Sequence, residues 1–251
     1  MTTKRPAEAQ ATLPRRIVAE TVGTAFLLAA VVGSGIMAER LAGGNTAIAL
    51  LANTLATGAA LVALILTFGP VSGAHFNPAV TLADAVEGGL RWRDVPAYVS
   101  AQVSGAFVGV AAANVMFGLP VFFASRRARE GGAQFFSEFV ATFGLLMVIW
   151  GCARRRSAVV PFAVAAYIMA AYWFTASTSF ANPAVTLARA ASDTFAGIRP
   201  LDTPFFIIAQ LLGAAAATAL FHWLTPPLAE DARAVVVPHN DGMEDERSES
   251  R

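Results

Sequence analysis

Of the 251 residues, 56% are hydrophobic and 14% charged, with a mean hydropathy of +0.56. Soluble domains carry roughly one-quarter charged residues, so the composition excludes an ordinary water-soluble protein. A net charge of +1 excludes the basic footprint that nucleic acid requires of a partner, and a single cysteine, Cys152, excludes a disulfide within the chain.

Polar residues 1–16 lead into a full-length apolar run without a small-residue cleavage site, and are expected to remain as a cytoplasmic segment rather than a signal peptide. Uncharged runs then cover 21–38, 41–83, 95–125, 139–153, 157–188 and 203–229. A bilayer core takes roughly 20 apolar residues per helix, which predicts spans near 17–38, 46–68, 96–117, 134–152, 158–177 and 204–224. The runs 41–83 and 157–188 are too long for one span each. Each surplus contains Asn-Pro-Ala and reads as a re-entrant segment, tolerated at membrane depth only when buried in protein or lining a wet cavity. Cys152 falls at the end of the fourth span and is expected as a small apolar filler. Residues 226–251, with seven acids, three arginines and few large apolar side chains, are expected to be a disordered cytoplasmic tail.

This topology places Lys4, Arg5, Arg15, Arg16, Arg91, Arg93 and the arginines of 154–156 inside, against Arg40, Arg126, Arg127, Arg129, Arg189 and Arg199 outside. The excess favours cytoplasmic termini. One lysine against seventeen arginines, with abundant alanine, points to a GC-rich bacterial genome and hence to an inner (plasma) membrane.

The chain also repeats itself. Residues 77–83, Asn-Pro-Ala-Val-Thr-Leu-Ala, recur letter for letter at 182–188. Glu20-Thr21-Val22-Gly23-Thr24 parallels Glu138-Phe139-Val140-Ala141-Thr142, and Ala101-Gln102 parallels Ala209-Gln210. Each half, about 17–117 and 134–224, is therefore span, span, re-entrant turn, span. Three spans per half is odd, so the halves insert with opposite orientation. Small residues at Gly23, Gly58, Gly105, Gly109, Gly144 and Gly213 predict close helix contact, chiefly within one subunit.

Asn-Pro-Ala has a direct physical reading. Proline suits the first helical position, where its fixed φ matches and its missing N–H had no partner anyway. Asn77 and Asn182 thus become N-caps of half-helices starting mid-membrane at Pro78-Ala79 and Pro183-Ala184. Each half-helix presents about half a positive elementary charge to the centre, which opposes protons and cations, while the asparagine amides donate to a passing solute. The pattern describes a conduit for neutral molecules.

Residues 72–81, the second Asn182-Pro183-Ala184 and the paired Glu20 and Glu138 resemble the aquaporin and glycerol-facilitator family, over about residues 15–225. The resemblance implies an all-α membrane fold of six transmembrane helices plus two re-entrant half-helices in an inverted repeat, one pore per subunit and a homotetramer in the lipid bilayer. It also implies a selectivity filter at four positions counted from the motifs: Thr57, Ala170, Ser179 and Val185. Water-selective members carry Phe, His, a small polar residue and Arg there. Thr, Ala and Val in place of two rings and a guanidinium predict a wider, more apolar constriction without fixed charge. The pattern is similar to a bacterial subgroup associated with arsenic resistance, in which Val replaces the filter Arg. Arsenite, methylated arsenicals and polyols such as glycerol are the solutes this implies, and a general water and glycerol facilitator is the alternative.

Glu20 and Glu138, costly inside a membrane, are expected to accept hydrogen bonds from the re-entrant backbone rather than to relay protons, so a secondary active transporter is disfavoured. His75 is placed at the cytoplasmic approach, lining it or simply packed, and His222 at the interface. Arg189 stands one turn beyond Val185; it is expected at the solvated, dipole-favoured end of the half-helix rather than in the vestibule. Asp84, its counterpart in the first half, has the opposite sign and is expected to need Arg91 or Arg93. No nucleophile–base pair, metal-ligand spacing, phosphate loop or cofactor motif supports an enzyme.

Overall fold

The computed structural model describes residues 11–224, without the side chains of 154–157. The expected N-terminal segment and acidic tail therefore lie largely or wholly outside the described residues. What is described is helical: α1 (Leu13–Leu41), α2 (Thr46–Ser72), α3 (Pro78–Glu87), α4 (Val95–Met116), α5 (Gly132–Arg156), α6 (Val160–Phe174), α7 (Pro183–Arg189) and α8 (Thr203–Leu224), joined in part by short 3-10 turns.

Five helical segments are long and apolar enough to cross a membrane. The sixth, α6, has only 15 residues, about 22 Å of rise. It departs from the expected 158–177 at both ends, because a 3-10 turn at Ser157–Val159 precedes Pro161 in its first turn and the chain becomes extended at Thr175. Large apolar side chains including Phe26, Leu55, Leu66, Val108, Phe162 and Phe205 face outward, as lipid-facing helices require.

The two halves pack alike. Helix α1 lies along α4 as α5 lies along α8, while α2 against α6 joins the halves. Glycine permits the two close pairs: a Cβ on Gly105 would strike the carbonyl of Thr21, and one on Gly213 the carbonyl of Phe139. Gly23, Gly58, Gly109 and Gly144 are likewise filled by neighbours of the same chain, so intrasubunit packing accounts for the small residues. Cys152 is a half-buried free thiol packed beside the main apolar cluster.

The connection between α4 and α5 forms a strap across the end of α7. Phe123 and Ser125 donate from their backbone nitrogens to the carbonyls of Ala191 and Ala190 at 3.0 and 2.9 Å, and Arg126 pairs with Asp193 at 2.9 Å. Backbone donation from Arg126 and its guanidinium hold the Asp193 carboxyl below the usual carboxylate range.

Candidate functional site

The half-helices α3 and α7 meet head to head. Asn77 and Asn182, in extended conformation, cap them: the side-chain oxygen of Asn77 accepts from the backbone of Ala79 at 2.9 Å, and that of Asn182 from Ala184 and Val185 at 3.0 and 3.2 Å. Proline follows each cap at the first helical position. The amide nitrogens cross the centre, Asn77 to the carbonyl of Ala181 and Asn182 to that of Phe76, each at 2.8 Å. A carboxamide nitrogen carries two N–H groups, so one from each asparagine remains beside the cavity that both residues line.

The loops entering these caps are held by carboxylates. Glu20 accepts from the backbone nitrogens of His75 and Phe76 at 3.0 and 2.7 Å, from Ser72 at 2.6 Å and from Gln102 at 2.8 Å. Glu138 accepts from Phe180 and Ala181, both at 2.9 Å, and from Gln210 at 2.6 Å. Each glutamine also donates to the motif threonine of its half, Gln102 to Thr81 and Gln210 to Thr186, at 2.8 Å. These bonds secure a backbone that non-glycine residues rarely adopt: Ala74, Phe76, Thr178, Ser179 and Ala181 all have φ between 48° and 60°. No sequence signal marks that left-handed run.

Between the loops runs a cavity of about 670 Å³, counting the part open to solvent. Its walls are two ladders spaced four residues apart, Thr57–Leu61–Ile65 on α2 and Val164–Ile168–Tyr172 on α6, facing Leu27 and Val31 of α1 and Leu145 and Ile149 of α5. Thr57, Ser179 and Val185 line it together. Ala170 does not: it is exposed on the outer side of α6, two residues from both Ile168 and Tyr172 and so on the opposite face of the helix. Counting back from Asn182 crosses a non-helical loop, which does not preserve helical register. Tyr172 takes the inward place, its hydroxyl 3.3 Å from that of Thr57. The cavity wall beside Thr57 thus carries a ring, and Ala170, expected there, is not part of it.

Arg189 is also displaced from its expected position. It is 3% exposed and lines the cavity; Nε donates to the carbonyl of Ala196, and the guanidinium lies 3.4 Å above the centre of the Phe180 ring. The strap and the loop after α7 cover the helix end that a dipole argument leaves in water. Arg129 reaches the same ring at 4.9 Å and donates to the carbonyls of Gly197 and Ser177, both at 2.9 Å. Burial pushes Arg129 down to about 10, which leaves it charged at neutral pH.

His75 lines the other end of the cavity, buried, with Nδ1 3.1 Å from Thr81 and Nε2 3.3 Å from Asp84. Arg91 and Arg93, expected to serve Asp84, instead face Asp94 at 2.9 and 3.9 Å. The 3-10 turn at Trp92–Asp94 brings that nearer acid into reach. His222 is largely exposed, 3.5 Å from Glu87.

The family model described as "Major intrinsic protein" matches residues 8–169 and 154–247. The chain belongs to the major intrinsic protein family. Among family members it is 58% identical over 215 residues to "Aquaglyceroporin AqpS" of Rhizobium meliloti (strain 1021), covering 86% of this chain and 92% of that protein. It is 35% identical over 214 residues to "Aquaporin NIP1-4" of rice, covering 82% and 75%. An X-ray structure of the aquaglyceroporin from Plasmodium falciparum superposes with a TM-score of 0.59 at 21% identity, over 85% of this chain and 95% of that one, which supports the fold alone. As a major intrinsic protein the chain is a multi-pass membrane channel and not an enzyme.

Proposed function

We propose that the cavity is the conduit of a passive channel for small uncharged solutes, with Thr57, Ser179 and Val185 as its filter and Tyr172 in the place counted to Ala170. The observation that carries this reading is Val185, a buried apolar wall one turn beyond the Asn182 cap. The two asparagine amides supply donors and the opposed half-helix ends disfavour cations. An isopropyl group beside hydroxyls at Thr57, Tyr172 and Ser179 suits solutes with both hydroxyl and carbon surface. Glycerol, undissociated arsenite and methylated arsenicals share that chemistry. We place the channel as a homotetramer in a bacterial inner membrane, with both termini in the cytoplasm.

Stopped-flow measurement of water, glycerol and arsenite permeability in proteoliposomes tests the proposal. Arsenite flux comparable to glycerol flux is expected, and both should fall in Val185→Arg. Water and glycerol flux without arsenite flux would leave a general water and glycerol facilitator. No change on Val185→Arg would overturn the filter assignment.

A further inference from the structure

The wall that carries Val185 also holds a guanidinium. Arg189 follows Val185 by four residues, about one turn. Helical side chains lean toward the helix N-terminus and cover the preceding turn, so the head of Arg189 is carried back from the end of α7 toward the level of Val185. The Phe180 ring, itself on the cavity wall, fixes it there together with the carbonyl of Ala196.

Two further observations indicate that this head serves a solute. Of five guanidinium N–H donors, only the Nε donor has an acceptor among the described residues. On the same wall Ser179, 2% exposed, has a hydroxyl with no hydrogen-bond partner. Other acids are engaged with other groups: Asp193 with Arg126, Glu39 with Arg127, and Glu130 and Asp202 with Arg199, while Glu138, whose charge is felt by Arg189, spends its oxygens on Phe180, Ala181 and Gln210. Among the described residues no carboxylate forms an ion pair with Arg189; its hydrogen bond goes to the Ala196 carbonyl.

We infer that Arg189 is the fixed cation of the constriction, repelling cations and, with Ser179, donating hydrogen bonds to acceptor oxygens of passing solutes. This rests on the reading of the cavity as the conduit. A full charge on a buried wall exceeds the half charge of a helix end, whose influence fades within a turn. The constriction thus pairs an apolar face at Val185 with a donor face at Arg189, and favours solutes that present oxygen on one side and carbon on the other.

The test compares Arg189→Met with Arg189→Lys in proteoliposomes, reading potassium conductance against glycerol flux. Both variants keep a stem against Phe180; only Lys keeps the charge. The Met variant should raise potassium relative to glycerol by roughly 10-fold or more, the Lys variant should resemble the unaltered chain, and Val185→Arg combined with Arg189→Met should restore exclusion. An unchanged ratio in the Met variant with glycerol flux intact overturns the inference. Absence of glycerol flux in the unaltered chain would instead overturn the conduit reading. Should Arg189→Met not assemble, the residual ion leak of the unaltered channel decides: a reversal potential favouring chloride over potassium supports the fixed cation, and a cation-selective leak refutes it.

Discussion

Asn77 and Asn182 face each other across the centre of the molecule, and each donates at 2.8 Å to a loop carbonyl of the opposite half. The motif therefore does more than cap a helix, since it ties the two halves together. Aspartate at position 182 would preserve the cap but remove the cross-bond and place an anion at the positive helix ends. Asn182→Asp should lower stability by about 1 kcal/mol and admit cations. Thermal denaturation in detergent and potassium conductance measure the two effects separately; a variant as cation-tight as the original would show that the dipoles alone suffice.

Glu138→Ala should leave the buried N–H groups of Phe180 and Ala181 unpaired, at roughly 1–3 kcal/mol for each. Glu138→Gln retains an acceptor and should be milder. Melting temperature and glycerol flux should fall in that order. Equal behaviour of the alanine variant and the parent would remove the loop-holding role.

Position 170 offers a test of register. Ala170→Trp adds a ring to the outer side of α6 and should leave single-channel solute flux unaltered, whereas Ile168→Trp places the same ring in the conduit and should abolish most of it. Stopped-flow glycerol uptake, normalised to protein inserted, reads both. The reverse order would restore Ala170 to the filter.

Gly105→Ala and Gly213→Ala should each force a helix pair apart at a backbone carbonyl. Overpacking of this kind costs about 1–3 kcal/mol. Matching losses of thermal stability in the two variants are expected from the repeat; a neutral result at either site would mean that its helix pair can separate freely.

The strap should respond to acid. Asp193 has a depressed carboxyl, so its contribution is present above the ordinary aspartate value of about 3.9 and is lost as pH falls through the lower folded value. Amide exchange at Phe123 and Ser125 should be slow and level from pH 8 to 5, after correction for intrinsic rates, and accelerate only below that ordinary value. Arg126 is largely exposed, so the effect is small. Acceleration near pH 6 would assign the strap to another group.

The half-helices were legible because Asn-Pro at a helix start is a local signal, and the inverted order because an exact seven-residue repeat divides the spans into two halves of three, an odd number each. Glu20 and Glu138 were legible for a different reason: a membrane carboxylate needs donors, and exposed loop backbone supplies them. Register across residues 175–182 was not. A loop containing left-handed alanine and serine carries no periodicity, so a count back from Asn182 points to Ala170 where Tyr172 lines the cavity. Arg189 was misplaced because the dipole rule describes a helix that ends in water, whereas the end of α7 is covered by chain some sixty residues earlier in sequence.

Glu20 and Glu138 each accept hydrogen bonds on both oxygens, from loop backbone and a glutamine and, at Glu20, from Ser72 as well. A carboxylate so occupied cannot pick up and release a travelling proton or sodium ion without dismantling the loop it supports. The molecule has thus committed these two fully buried acids to architecture rather than to coupling transport to an ion gradient. Net movement through it should track the concentration difference alone, in whichever direction the cell's own metabolism sets.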